Sequence, residues 1–183
     1  MRPSLLLALC LTAAATAASA QATWHGLHFG ESRDDVRAQL TSQNLPVEAS
    51  QEGTLQSNAD YELPLPGLRH TFPMQLSFHF DDNAALTDVT LTLDVPGMRR
   101  YWAAVGPDEA LFDFAEEHLT AAVSSLYGAP LYRSGACAAE PKQPSPVCLL
   151  TWRATDQTVL MERQPSPHGQ RLVIRYQPLP TDL

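Results

Sequence analysis

Six histidines, three cysteines and twenty acids are the side chains of this 183-residue chain with chemistry to offer. Imidazole serves as a base or as a metal ligand, so the histidines come first. His25 and His28 are three apart in a stretch read as extended, and such residues point to opposite faces, so the two do not share an ion. His79 falls on the polar side of an alternating stretch, and His168 sits in a turn. His118 follows Glu116 and Glu117 without the His-Glu-x-x-His spacing that puts two ligands on one helix face. His70 has no spacing partner either. Each reads as solvent-facing or locally hydrogen-bonded, and neither metal nor cofactor is expected. Asp81-Asp82-Asn83 resembles part of a calcium loop, but Ala84, Ala85 and Leu86 stand where glycine and further ligands belong. It reads as turn chemistry.

Nucleophilic catalysis has little to work with. There is no Gly-x-Ser-x-Gly elbow, and Ser124 and Ser125 lie inside a helical pattern. No glycine-rich phosphate loop occurs. Glu116 and Glu117 are adjacent on a helix and diverge. A hydrolase site assembled from dispersed groups such as His79, His118 and the acids remains the competing reading. Cys137 and Cys148 lie eleven positions apart with Pro141, Pro144 and Pro146 between them. This is not Cys-x-x-Cys, and it reads as one disulfide closing a short loop, worth about 2–3 kcal/mol by chain-entropy arguments. One stretch has the composition of a contact surface: Met98-Arg99-Arg100-Tyr101-Trp102, between two Pro/Gly breaks. Arg, Tyr and Trp dominate interface hot spots because they join area to directional polar contacts. Arg99, Arg100, Tyr101 and Trp102 are thus the candidate binding residues, set against the plainer reading that the two aromatics pack under a helix. The polar side of the stretch around Gln75, Ser77, His79, Thr90 and Thr92 is a second candidate surface.

The elements that must position these residues begin after residue 20. Met1–Ser4 carries one Arg, residues 5–18 are apolar, and Ala18-Ser19-Ala20 is a small-x-small site, so residues 1–20 read as a cleavable signal peptide. Cleavage removes Arg2 and Cys10, leaving eleven basic residues against twenty acids and two cysteines in a compartment that permits disulfides. So acidic a chain disfavours nucleic acid and anionic membrane surfaces. No later stretch is apolar for long enough to span a bilayer.

Trp24, Leu27 and Phe29 suggest a short strand ending at Gly30. Ser32 is a helix N-cap, and Asp34 and Asp35 suit the first turn of a helix over about 33–43. Residues 46–73 alternate weakly, with a strand near 59–63. Met74 to Phe80 and Val89 to Val95 alternate apolar and polar around the acidic turn, which predicts a hairpin with one wet face. Pro96-Gly97 ends it. Leu111, Ala115, Leu119, Ala122, Val123 and Leu126 form a helical stripe over 108–127. Residues 148–153, 158–163 and 171–177 are β-rich, with a turn at 165–169 between the last two.

The expected fold class is α+β: one domain over 21–183, made of two helix-plus-antiparallel-strand halves, 21–97 and 98–183, with helices packed on one face of the sheet. The order of elements raises duplication, although no residue-level repeat accompanies it.

Leu27-x-Phe29-Gly30-x-Ser32-x-x-Asp35-Val36-x-x-x-Leu40 resembles the opening of small exported bacterial modules of the β-lactamase-inhibitor-protein-like and small outer-membrane assembly lipoprotein type. The resemblance covers 14 residues. It implies a strand, a capped helix and antiparallel strands, and a protein-binding role without a catalytic site. It departs from the lipoproteins in the sequence before Cys10, where Leu9 replaces a small residue. No site residue carries over. The expectation is an exported, non-enzymatic binding or accessory domain, periplasmic or extracellular, with a protein or envelope component as partner.

Overall fold

The computed structural model describes residues 24–50, 53–57, 61–63, 72–102, 108–134, 148–166 and 169–179, with backbone alone at 101, 102, 108, 109, 165, 166 and 169. The signal-peptide reading of 1–20, Cys137, His70 and His168 lie outside the described residues.

The first helix, α1, spans Arg33–Ser42. Its start follows the capping chemistry: the Ser32 side chain accepts from the Asp35 amide at 3.2 Å and donates to Asp35 Oδ2 at 2.6 Å. Its end is closed by Asn44 at a left-handed φ of 59°, with the Leu45 amide reaching the Leu40 carbonyl at 2.9 Å. Val36 and Leu40, one turn apart, are its buried residues.

The hairpin forms as its alternation predicts, β4 over Pro73–Phe80 and β5 over Leu86–Leu93. Asp81 shapes the connection, its Oδ1 accepting from the amides of Asn83 and Ala85, both at 2.9 Å. The long helix, α3 at Asp108–Tyr127, has the predicted bounds. Of its expected stripe only Leu126 is not buried, at 47% exposed. The last strands are β7 (Cys148–Arg153), β8 (Gln157–Ser166) and β9 (Gly169–Pro178). The β8–β9 pairing runs to Ser166↔Gly169, so strand occupies most of the stretch read as a turn.

Two expectations are corrected, and short strands are added to those expected. Residues 24–29 are not a strand. Trp24 and Leu27 close a tight turn, in which His25 and Gly26 take φ values of 50° and 81°. Among the described residues, 46–57 hold two short strands, β1 (Val47–Ala49) and β2 (Leu55–Ser57), too short to show a period, and β3 (Tyr61–Glu62) falls where a strand was expected near 59–63. Pro96-Gly97 opens a helix, α2 at Val95–Trp102, where a connector was expected. The Met98 amide bonds the Asp94 carbonyl at 2.9 Å, and Pro96 sits in the first turn, where a missing N–H costs nothing. A further two-residue strand, β6 (Tyr132–Arg133), follows α3.

All described strands join one antiparallel nine-stranded sheet in the order β1-β2-β4-β5-β9-β8-β7-β6, with β3 beside β4. Two antiparallel strand groups, β1 to β5 and β6 to β9, therefore meet through their last strands, β5 and β9. Register assigns the faces. Leu76, Leu91, Ile174, Met161 and Leu150 stand in one row across five strands, each at most 1% exposed. This row belongs to the core under the helices: α3 adds Leu111, Phe112, Ala115, Leu119 and Val123. Trp152 Nε1 donates to Ser124 Oγ at 3.2 Å, tying β7 to the last turn of α3. Among the described residues no helix is long and apolar enough to cross a membrane.

Candidate functional site

Because side chains alternate along a strand, residues one position off the core row make a second surface. Its central row is Glu48, Gln56, Ser77, Thr90, Arg175, Leu160, Thr151 and Tyr132, running from β1 to β6. The β5·β9 pairing brings the polar side of the first hairpin against arginines from the end of the chain. Thr92 Oγ1 accepts from Arg171 Nη2 at 3.0 Å, across 79 residues of sequence.

At the centre of this face Asp88 accepts from Thr90 Oγ1 at 3.0 Å, faces His79 Nε2 at 3.8 Å and lies 4.0 Å from Arg175 Nε. One carboxylate thus stands between two groups that carry or can acquire positive charge. Arg175 Nε is itself buried with no hydrogen-bond partner. The floor is closed: Thr90 and Val173 are each 3% exposed. Arg153 and Arg171 stand outward on β7 and β9.

The other charged cluster lies on the helix side. Arg163 on β8 donates to Asp113, to Glu116 Oε2 at 3.1 Å and to Gln170 Oε1 at 2.6 Å, and lies over the Phe112 ring. Burial works against its charge, but the hydrogen bonds it donates to the Asp113 and Glu116 carboxylates outweigh it and hold the guanidinium pKa above the ordinary value. This fastens α3 to the sheet. The Cys148 sulfur, buried at the start of β7, is 3.2 Å from Glu116 Oε1.

A third polar contact pins the start of the described chain. His25 Nε2 bonds the Tyr61 hydroxyl, and Trp24 packs edge-on against His25, Tyr61 and Phe78. Gln39 of α1 and Gln43 at its C-terminal cap donate to the His25 carbonyl at 3.3 and 2.9 Å. A Cβ on Gly26 would meet Gln39 Nε2 at 3.0 Å, on a backbone that already favours glycine. Burial lowers the His25 pKa below the ordinary 6.5 and pushes the Tyr61 hydroxyl up to about 12.

Of the sequence candidates, Arg99 and Arg100 are exposed on α2, and Arg100 Nη2 lies 3.3 Å from Asp94 Oδ2. Tyr101 and Trp102 are in the same helix, with side chains outside the described residues. His118 stacks on Phe114 with centroids 3.9 Å apart and bonds the Phe114 carbonyl through Nδ1 at 2.9 Å. Among the described residues no three of His, Cys, Asp and Glu converge as metal ligands. Sequence reasoning missed Asp88, Arg153, Arg171 and Arg175. Their signal was present in the alternation of β5 and β9, but nothing local says that those strands are neighbours.

Fold and surface define a mixed α/β protein that is mostly sheet, one face packed against helices and the other polar. Comparison with protein-family models, with curated proteins and with solved structures finds no match to this chain.

Proposed function

We propose that this chain is an exported, non-enzymatic binding or accessory domain whose contact surface is the polar face of the sheet. The observation that carries the reading is one-sidedness. A single antiparallel sheet buries one face, while the opposite face presents hydroxyls, amides and arginines with no described helix over it. A broad, rigid face with a closed floor suits contact with another macromolecule better than enclosure of a small substrate. The α2 residues Arg99 to Trp102 are the second contact element of this proposal.

The signal-like first twenty residues support export. The pairing of Cys148 with Cys137 belongs to the same proposal, supported by the even count of cysteines left after residue 20 and the burial of Cys148. The two strand groups meeting at β5 and β9 support an origin in two similar halves. The hydrolase alternative has less behind it. His79 lies on the polar face, whereas His118 is on α3, which packs on the other face.

Photo-crosslinking of the full chain in its native host tests this. A photoreactive residue at Gln75 or Thr92, on the face, is expected to give adducts of one common mass. One at Glu117, exposed on α3, is expected to give none. Adducts at Glu117 without any at Gln75 or Thr92 contradict the proposal, as does the absence of adducts from both face positions.

A further inference from the structure

We infer that the partner segment received by the polar face is an acidic, extended stretch of polypeptide, held by Arg171 and Arg175 along β9. This deepens the proposed function and rests on it. The argument starts from an anomaly of charge. With twenty acids against twelve basic residues, an arginine in this chain can find a carboxylate. Arg37, Arg100 and Arg163 do, at 3.8, 3.3 and 3.1 Å.

The outward arginines of β7 and β9 are paired more weakly. Among the described residues Arg153 has no ion pair, and Arg171 bonds only the neutral Thr92 hydroxyl. Arg175 has Asp88 at 4.0 Å, a carboxylate that already accepts from Thr90 and faces His79. Across the outward positions of β5, β9, β8 and β7 these three arginines meet two acids, Asp88 and Glu162. The rest of the chain carries nine basic against eighteen acidic residues. The acids of this face that lie further out, Glu48 and Glu62, are at its β1–β3 end.

Geometry selects the form of the ligand. Arg171 and Arg175 are four apart on one strand face, about 13 Å along the sheet. An extended peptide laid along β9 repeats that spacing with acids at positions one and five. Each guanidinium offers a planar fork that takes a carboxylate through two hydrogen bonds. Thr90, Thr92 and Ser77 flank the path with hydroxyls. A lipid surface or a nucleic acid would bring dense negative charge against the acidic body as well as the arginines, and is disfavoured. A short segment touches the face alone.

The test is fluorescence anisotropy of the purified full chain with a fluorescein-labelled peptide alternating Glu and Thr, beside a Gln/Thr peptide of equal length. The acidic peptide is expected to bind saturably and to weaken as salt is raised. The Arg171→Gln/Arg175→Gln variant, its fold checked by circular dichroism, is expected to weaken it about tenfold or more. Equal binding of the neutral peptide, unchanged binding by the double variant, or no binding of the acidic peptide overturns the inference. So does retention on phosphatidylglycerol vesicles, abolished by the same variant, without peptide binding. If Thr92 crosslinks a partner while the acidic peptide does not bind, the sheet-face reading stands and this inference alone falls. If neither occurs, both fall.

Discussion

Replacing Leu91 by Ala, and separately its neighbour Thr92 by Ala, tests the facing of the sheet on which every functional statement depends. Leu91 is at the middle of β5, fully buried, between Leu76 of β4 and Ile174 of β9. Its loss removes the transfer free energy of the side chain and leaves a cavity in a row that the flanking strands cannot close, about 3 kcal/mol within a usual range of 2–5. For a chain of this length that lowers Tm by roughly 6–12 °C. Thr92 points the other way, half-buried, with the Arg171 guanidinium on its hydroxyl. Losing that contact and some strand propensity costs less than about 1 kcal/mol. Thr90→Ala is expected in between, about 1 kcal/mol, because its hydroxyl is buried and donates to Asp88. Urea unfolding of the three variants, compared at constant m-value, gives the ranking. A cost for Thr92→Ala approaching that for Leu91→Ala would mean that both faces are packed, and the argument for a contact surface would be refuted.

Three further outcomes are expected. Ser32→Ala removes the α1 cap and costs about 1 kcal/mol, read by thermal unfolding, while Ser32→Asp retains most of the stability. His25, with its pKa below 6.5 in the folded chain, favours the neutral form, so the unfolded chain binds the extra proton first. Stability falls as pH drops below 6.5 towards the folded value, and His25→Asn flattens that part of a urea-midpoint profile measured against pH. An intact bridge between Cys137 and Cys148 gives a mass two hydrogens below that of the reduced chain, and Cys137→Ser lowers stability by about 2–3 kcal/mol; free thiols on the exported protein would contradict the pairing.

The part of this protein legible before folding was the part governed by local rules. Ser32 and Asp35 start α1 where expected because capping is settled within one turn. The apolar spacing along α3 and the strict alternation of β4 and β5 declare their elements because period 3.6 and period 2 bury different sets of positions. Local rules also misled. Pro96-Gly97 reads as a break, yet Pro is accommodated in a helix's first turn, and Asp94, the residue before the helix, supplies the carbonyl that receives the Met98 amide. Two- and three-residue strands such as β1, β2 and β6 have no period to read. They exist because longer neighbours offer them an edge.

By itself, then, the sequence determined where the principal helices and the first hairpin lie, and which side of each is apolar, since those properties come from sterics and hydrogen bonds inside a single segment. Only the tertiary structure decided that β5 lies against β9, and with it the meeting of Thr92 with Arg171 and of Asp88 with Arg175. Pairing between strands some eighty residues apart is chosen by packing of the whole core against the entropy of closing the chain between them, and neither is written in any short stretch of residues.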